Sequence, residues 1–316
     1  MTTLLRVFQE AAEHGSAAVE AAQHGAEQAV APAVEGGVPD IGGMLMHHLA
    51  DAPVIEFPWG PWELPRWEPL HIAGLTIDLS PTKHVVFMAI AALLVAILFI
   101  AVARAITGKY RDKAPGGLAN AMEAMIVYFR DEIVRRNIGH GADAFTPYIL
   151  TVFFFILTMN LLGLVPWGAS PTGNIMVTGA MAIISLIVIE VSGFFALGPG
   201  GYAKTIFYAP KGMGPVGTAI MLVIMTPVEI VGKLAKPFAL MVRLFANMTA
   251  GHTVILSLIG LIFVFGEVAG IRWGVAGGAV GMSLAMMLLE IFVAFLQAYI
   301  FAMLTSVFIG LIRHAH

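Results

Sequence analysis

Six polar side chains lie within long apolar stretches near the C-terminal end of the chain, where a bilayer would surround them. They are Glu229, Arg243, Asn247, His252, Glu290 and Gln297. A charged side chain at bilayer depth costs about 2.5–3.5 kcal/mol on insertion scales, so it is retained chiefly where it faces water, a partner charge or an ion pathway. An imidazole and a carboxylate in one membrane cavity can exchange protons. These residue types therefore indicate ion movement, with H⁺ as the expected ion.

Arg243 lies in the segment PFALMVRLFANMTAGH, which has no acidic residue on the neighbouring turns. Successive helical residues are about 100° apart, so a strip of small residues falls close to the face of Arg243. The strip consists of Ala239, Ala246, Ala250 and Ser257, with Asn247 at its edge. Small residues allow another helix to approach closely. We therefore expect the counter-ion of Arg243 to come from outside this chain.

His252 follows Arg243 by nine positions, which places it on roughly the opposite face of the same helix. Glu290 and Gln297 are seven positions apart and share a helix face that can turn toward His252 or Arg243. Two interpretations of His252 and Glu290 stay open: a proton relay, or a buried pair that satisfies its own charge.

Glu229 and Lys233 stand four positions apart with the acid first, the arrangement of a helical ion pair. The alternative is that Glu229 lines an aqueous exit path. Lys236 precedes Pro237 and is expected to extend its ammonium group to the membrane surface.

The composition is that of a membrane protein. Hydrophobic residues make up 59% of the chain and charged residues only 12%, and the mean hydropathy of +0.86 is too high for a soluble domain. The net charge is -3 and no basic block is present, so nucleic acid is not an expected partner. The chain has no Gly-rich phosphate loop, metal-ligand helix or nucleophile elbow, so we expect no catalysis by this chain alone, no cofactor and no metal.

Five apolar stretches are long enough to cross about 30 Å of hydrocarbon as helices. We expect them at about 84–106, 145–165, 174–197, 216–266 and 274–313. The last two would be roughly 75 and 58 Å long at 1.5 Å per residue, which predicts a strongly tilted helical hairpin. Residues 117–137 predict an amphipathic helix on the membrane surface. The predicted class is an all-α integral membrane protein with a single membrane domain over 84–316.

Two segments precede this domain. Residues 1–50 form an Ala/Gly/His-rich extension without a secretory cleavage signal, so we expect it to remain in the mature protein. Its histidines match no metal-site spacing and are expected to be solvated: His14, His24, His47 and His48. Residues 51–83 are rich in Pro and Trp and predict an interfacial segment. A basic excess after the first span places that loop and the C-terminus in the cytoplasm and the N-terminus outside.

Several segments resemble subunit a of the F-type ATP synthase. The most specific is PFALMVRLFANMTAGH, and the others are PGGLANAMEAMIVYFRDEI, TPYILTVFFFILTMNLLGLVP, PVEIVGKLAKPF, LEIFVAFLQAYIFAMLTSVFIGL and the HHL near residue 47. Residues 1–40 lie outside the resemblance. Members of this family form two offset proton half-channels against the rotating ring of subunit c, and they couple proton flow to ring rotation and ATP synthesis.

The resemblance implies that Arg243 attracts the deprotonated carboxylate of the ring and prevents direct leakage between the half-channels. Asn247 and Gln297 match polar residues close to that arginine. Glu229 matches a position that carries an acid on the cytoplasmic exit side in several members. These four residues would therefore lie along the exit side and the centre of the path.

His252 and Glu290 would carry protons inward from the outer side. Many bacterial members have an acid at the position of His252 and a histidine at that of Glu290, and the order found here is similar to that of mitochondrial members. Gly163 stands where some bacterial relatives carry Asp, so this chain has no inlet carboxylate at that position.

The partners that the resemblance implies are the subunit c ring, peripheral-stalk subunit b, the other ATP synthase subunits and membrane lipid. The lack of a transit peptide predicts a bacterial plasma membrane. Two alternatives are a secondary transporter with Arg243 as its anion site and a non-transporting scaffold. A transporter predicts an inverted repeat or paired broken helices, which the sequence lacks. A scaffold would not require ionisable residues on opposed helix faces.

Overall fold

Six main α-helices, numbered in chain order, make up most of the chain. The computed structural model describes residues 43, 50–57, 59–68, 70–72, 75–78, 80–111, 113–165, 168–207, 215–265 and 270–314. The helices are α1 (Lys83–Arg104), α2 (Leu118–Tyr128), α3 (Thr146–Gly163), α4 (Ile175–Ile206), α5 (Pro215–Phe265) and α6 (Arg272–Arg313). All but α2 belong to segments long and apolar enough to cross a membrane. The prediction of an all-α integral membrane protein with five membrane helices is confirmed.

The candidate spans begin and end close to the expected positions, with one clear difference at α4. We expected this helix to end at residue 197, but it continues to Ile206. It is broken at Gly198, whose φ of 70° and ψ of 169° lie outside the helical region, and Pro199 begins the next helical segment. The residues between the third and fourth expected spans therefore start as a second piece of helix.

The N-terminal ends of two spans carry local signals that explain where they begin. Pro147 occupies the first turn of α3, where its missing N–H leaves no helical hydrogen bond unmade. Asn174 caps α4, since its side-chain oxygen accepts a hydrogen bond from the backbone N–H of Met176 at 2.9 Å.

The predicted amphipathic helix is present and continues beyond α2. A π-helical segment, Phe129–Arg135, and a short helical end, Arg136–Ile138, extend it. Its apolar side packs inside the protein, where the ring of Phe129 lies 4.5 Å from that of Phe153 in α3. The backbone of α6 approaches the same segment closely, because a Cβ at Gly310 would overlap the carbonyl of Asn137.

Two short β-hairpins, which we did not expect from the sequence, precede α1 in the part of the chain that the structure describes. Strand β1 (Val54–Phe57) pairs with β2 (Gly60–Glu63), and β3 (Leu70–Ile72) pairs with β4 (Leu75–Ile77), both antiparallel. Gly60 has a φ of 136°, a conformation that favours glycine after a tight turn. The prolines and tryptophans of this stretch obscured the strand pattern.

The chain divides into two compact units. One comprises Asp51–His252 and Ala285–His316, and it holds every candidate site residue. The other contains Met1–Ala50 and Thr253–Leu284. Nearly all of its described residues belong to the end of α5 and the beginning of α6. Within the larger unit α5 and α6 are antiparallel, because Asn247 meets Gln297 and His252 meets Glu290.

Candidate functional site

His252 of α5 and Glu290 of α6 form a direct contact. The Nδ1 atom of His252 lies 2.8 Å from Oε1 of Glu290 and 3.1 Å from the carbonyl oxygen of Met248. Its Nε2 atom lies 2.9 Å from the carbonyl oxygen of Gly163 in α3. Glu290 is buried, with 4% of its surface exposed. The site thus joins three helices through one imidazole ring.

The partners of His252 restrict where its protons can be. A carbonyl oxygen only accepts, so Nε2 must carry a proton and donate it to Gly163. One further proton then belongs to the contact between Nδ1 and Oε1 of Glu290. On the ring this proton gives an ion pair and also faces the carbonyl oxygen of Met248, whereas on the acid it gives a neutral pair with the same net charge. This is the chemistry of a proton relay.

The second carboxyl oxygen of Glu290 makes no hydrogen bond within the described residues. Oε2 is buried and has no hydrogen-bond partner in the part of the chain that the structure describes. A buried acceptor without a partner is unfavourable by about 1–3 kcal/mol, so such a group calls for an explanation. A carboxyl group that is held by one oxygen and has no partner at the other can receive a proton on one oxygen and pass it on from the other.

Two glycines allow the site to be this compact. A Cβ at Gly251 would lie only 2.6 Å from Oε1 of Glu290, so any side chain there would push the carboxyl group away from His252. A Cβ at Gly163 would overlap the side chain of Ser170. Position 163 thus contributes its backbone carbonyl to the site, and the space that a side chain would need there is filled by Ser170.

We expect Gly251→Ala to lower proton flux several-fold in membrane vesicles without preventing assembly. The added methyl group can be accommodated by moving the flexible Glu290 side chain, which costs the contact with His252 rather than the fold. Gly232→Ala on the same helix is the control, because a Cβ there meets nothing within 4 Å. Equal flux in the two variants would show that the distance between His252 and Glu290 does not matter.

Arg243 lies on the exposed surface of α5. Ala239, Ala246 and Ala250 of the predicted strip are exposed with it. No carboxylate among the described residues lies within ion-pair distance of the guanidinium. Gln297 is turned toward α5, but it accepts a hydrogen bond from Asn247 at 3.0 Å instead of contacting Arg243.

Lys233 does not pair with Glu229, so of the two interpretations left open for Glu229 the helical ion pair is not observed. The Nζ atom of Lys233 lies 3.1 Å from Oε2 of Glu190 in α4. Glu229 is exposed and makes no ion pair with any described residue. The i,i+4 spacing was compatible with a pair, but the carboxylate on the neighbouring helix holds the ammonium group. Lys236 is exposed and lies 5.1 Å from the ring centre of Phe308.

Glu190 is the main polar residue that the sequence analysis missed. It also accepts a hydrogen bond from the hydroxyl of Tyr202 at 2.5 Å, and Lys233 lies 3.3 Å from the hydroxyl of Thr205. Glu190 could have been recognised from the sequence as a carboxylate within the apolar stretch IVIEVSG, since a charge within a membrane span needs a partner. We call this group of four residues the α4–α5 cluster.

A buried polar network lies beside the His252 contact and was also missed. Asn160 of α3 accepts a hydrogen bond from the hydroxyl of Thr172 at 2.7 Å, and its amide lies 3.3 Å from the carbonyl of Ala294. The hydroxyl of Ser170 lies 2.9 Å from that of Thr172. Asn160 precedes Gly163 by less than one helical turn. The signal was an amide in an otherwise apolar span, which a search for charges alone passes over.

Asp51 joins three segments at the beginning of α1 and α4. One carboxyl oxygen lies 2.7 Å from Nδ1 of the buried His84, and the other accepts from the amide of Asn174 at 3.2 Å. Burial raises the pKa of Asp51, but the hydrogen bond and charge of His84 outweigh it and hold this pKa below its usual value. The residues are 33 and 123 positions apart in sequence, so no local pattern indicated the contact.

No group of three or more metal-ligating side chains occurs among the residues that the structure describes. The four histidines of the N-terminal extension, His14, His24, His47 and His48, lie outside those residues.

Comparisons with known proteins agree on one family. A family model described as the ATP synthase A chain matches residues 85–310. A relative from Anaeromyxobacter dehalogenans (strain 2CP-C), an ATP synthase subunit a, is 44% identical over 95% of this chain and 80% of its own length. The ATP synthase subunit a of Chloroherpeton thalassium is 45% identical over 84% of this chain and 75% of its own length. That of Chlorobium phaeobacteroides is 43% identical over 96% and 86%.

Proposed function

This chain belongs to the ATP synthase A chain family, and from that membership we propose that it forms two offset proton half-channels against a rotating ring of subunit c. Its family makes it a non-catalytic, multi-pass membrane subunit of the ATP synthase that takes part in proton transport. We further propose the residues that form the proton path, the contact with the subunit c ring and the orientation of the chain in the membrane.

The observation that carries the proposal is the position of Arg243. A guanidinium remains protonated under physiological conditions and offers a planar set of donors that suits a carboxylate. Here it faces outward beside exposed alanines, and no described residue supplies an acid to it. A carboxylate on a ring helix that packs along this strip would be its counter-ion. Its attraction to that carboxylate would separate the two half-channels.

The inlet half-channel would use His252 and Glu290. Protons from the outer side would enter the contact between the two residues and leave through the free Oε2 of Glu290 toward the ring. The relay interpretation is supported by the 2.8 Å contact between an imidazole and a carboxyl group, across which one proton can pass. Each proton that enters the pair adds one positive charge, so the next proton would be loaded only after this one has left toward the ring.

The outlet half-channel would lead from Arg243 past Glu229 to the cytoplasm. These residues are 14 positions apart on α5, about 21 Å along the helix axis, and both are exposed. Asn247 and Gln297 bond to each other one turn beyond Arg243, and they would fix the polar surroundings of the guanidinium without neutralising it. The proposed orientation follows the positive-inside tendency of the basic loop after α1, by which the C-terminus would lie in the cytoplasm of a bacterial cell.

Purification of the tagged full-length chain under mild detergent tests the assignment to this assembly. We expect a proteolipid ring, a peripheral-stalk subunit b and a soluble ATPase head to copurify. A tagged unrelated membrane protein from the same cells is the control. Recovery of the chain alone, with the ring and head present elsewhere in the same membranes, would contradict the proposed partners.

A further inference from the structure

The α4–α5 cluster holds a lysine away from a carboxylate that lies one helical turn from it. Glu229 and Lys233 stand at i and i+4 on α5, where an acid and a base normally attract each other. Instead, the Nζ atom of Lys233 lies 3.1 Å from Oε2 of Glu190 and 4.7 Å from the ring centre of Tyr202. Lys233 therefore pairs with the carboxylate of α4 and not with Glu229 of its own helix.

The cluster is more enclosed than the surface around Glu229. The side chains of Lys233 and Glu190 are 14% and 22% exposed, whereas Glu229 lies on the exposed face of α5. Interactions between charges strengthen as water is excluded, so the enclosed carboxylate is the stronger partner. The Tyr202 hydroxyl donates to the same oxygen, which adds a hydrogen bond to the charged form of Glu190.

The break in α4 makes this arrangement possible. In a straight helix the 12 positions between Glu190 and Tyr202 would span about 18 Å, far beyond hydrogen-bond distance. The non-helical conformation of Gly198 turns the chain back, so that Tyr202 and Thr205 reach the ion pair. The cluster therefore depends on a backbone conformation at position 198 that essentially only glycine adopts.

We propose that Glu190 is a positioning residue that keeps Lys233 away from Glu229, so that Glu229 remains an uncompensated carboxylate for proton release. This inference rests on the proposed outlet role of Glu229. A lysine next to Glu229 would stabilise its charged form and slow its protonation by the ring. Glu190 would therefore act on the proton path without being part of it.

Three variants of the complete ATP synthase in membrane vesicles test the inference: Glu190→Gln, Glu190→Gln with Lys233→Met, and Glu229→Gln. In Glu190→Gln the lysine loses its counter-ion, turns to Glu229 and lowers ATP synthesis about tenfold, the effect of a one-unit change in proton affinity. The double variant removes the competing lysine and restores synthesis to within about twofold of wild type. Replacement of a buried ion pair by neutral groups is generally tolerated, whereas loss of one partner is not.

The outcomes separate this inference from a structural role for the cluster. Copurified ATPase head, measured for each variant, reports assembly independently of proton flow. A double variant as slow as Glu190→Gln would show that the pair supports only the fold, and wild-type synthesis in Glu190→Gln would show that Lys233 does not compete. Both results overturn the inference while the outlet assignment stands. Wild-type synthesis in Glu229→Gln would overturn the outlet assignment and the inference together.

Discussion

Replacement of Arg243 by Ala or Lys is expected to abolish ATP synthesis while the complex still assembles. Alanine removes the only group proposed to attract the ring carboxylate. The deprotonated carboxylate would then have no positive charge opposite it, and protons could leak between the half-channels. Lysine keeps a positive charge at the same position. Its ammonium group, however, is a compact point charge that can lose its proton when water is excluded, whereas a guanidinium stays protonated and offers a planar set of donors.

Assembly should survive because Arg243 is exposed and forms no ion pair with any described residue. Its removal also relieves an insertion cost of about 2.5–3.5 kcal/mol. The assay is ATP synthesis by vesicles under an imposed proton gradient, with the amount of copurified ATPase head as the measure of assembly. Lys236→Met, which removes a cation from the exposed side of the same helix, is the matched control and should retain synthesis. Synthesis at the wild-type rate in either Arg243 variant would refute the central role.

The second large effect is expected for Glu290→Gln. An amide keeps the size of the carboxyl group and its contact with His252, but it cannot take up or release a proton in this range of pH. We expect proton flux to fall about 100-fold, at the lower end of what positioned proton-transfer groups contribute. Flux is measured by acidification of vesicles during ATP hydrolysis.

Exchange of the two residues separates proton transfer from packing. The double variant His252→Glu with Glu290→His restores an imidazole and a carboxylate in the reverse order, and it should recover part of the flux that Glu290→Gln loses. If Glu290→Gln pumps at the wild-type rate, the contact is a packing pair and the inlet lies elsewhere.

The sequence predicted the membrane helices because apolar stretches of this length have few other stable structures. It also predicted that Arg243 and His252 occupy opposed faces, since helical periodicity alone determines this. The structure agrees, with Arg243 exposed and His252 directed to Glu290. Membership in the family decided between the proton path and the transporter and scaffold alternatives, which residue types alone had left open.

Contacts between distant segments could not be predicted in the same way. The partner of Lys233 is 43 positions away on another helix, so the local i,i+4 pattern favoured Glu229. The break at Gly198 determines where Tyr202 lies, and a Gly-Pro step predicts a break without giving its direction. The role of Gly163 as a carbonyl acceptor is likewise invisible in sequence, because backbone groups are the same at every position.

A structure of the complete ATP synthase would test the central claim most directly, through what lies opposite Arg243. We expect a ring helix packed along Ala239, Ala246 and Ala250, with its carboxylate within about 6 Å of the guanidinium during part of the rotation, the range in which opposite charges stabilise each other. A strip covered by lipid, or by a helix without an acidic residue at that depth, would contradict the account.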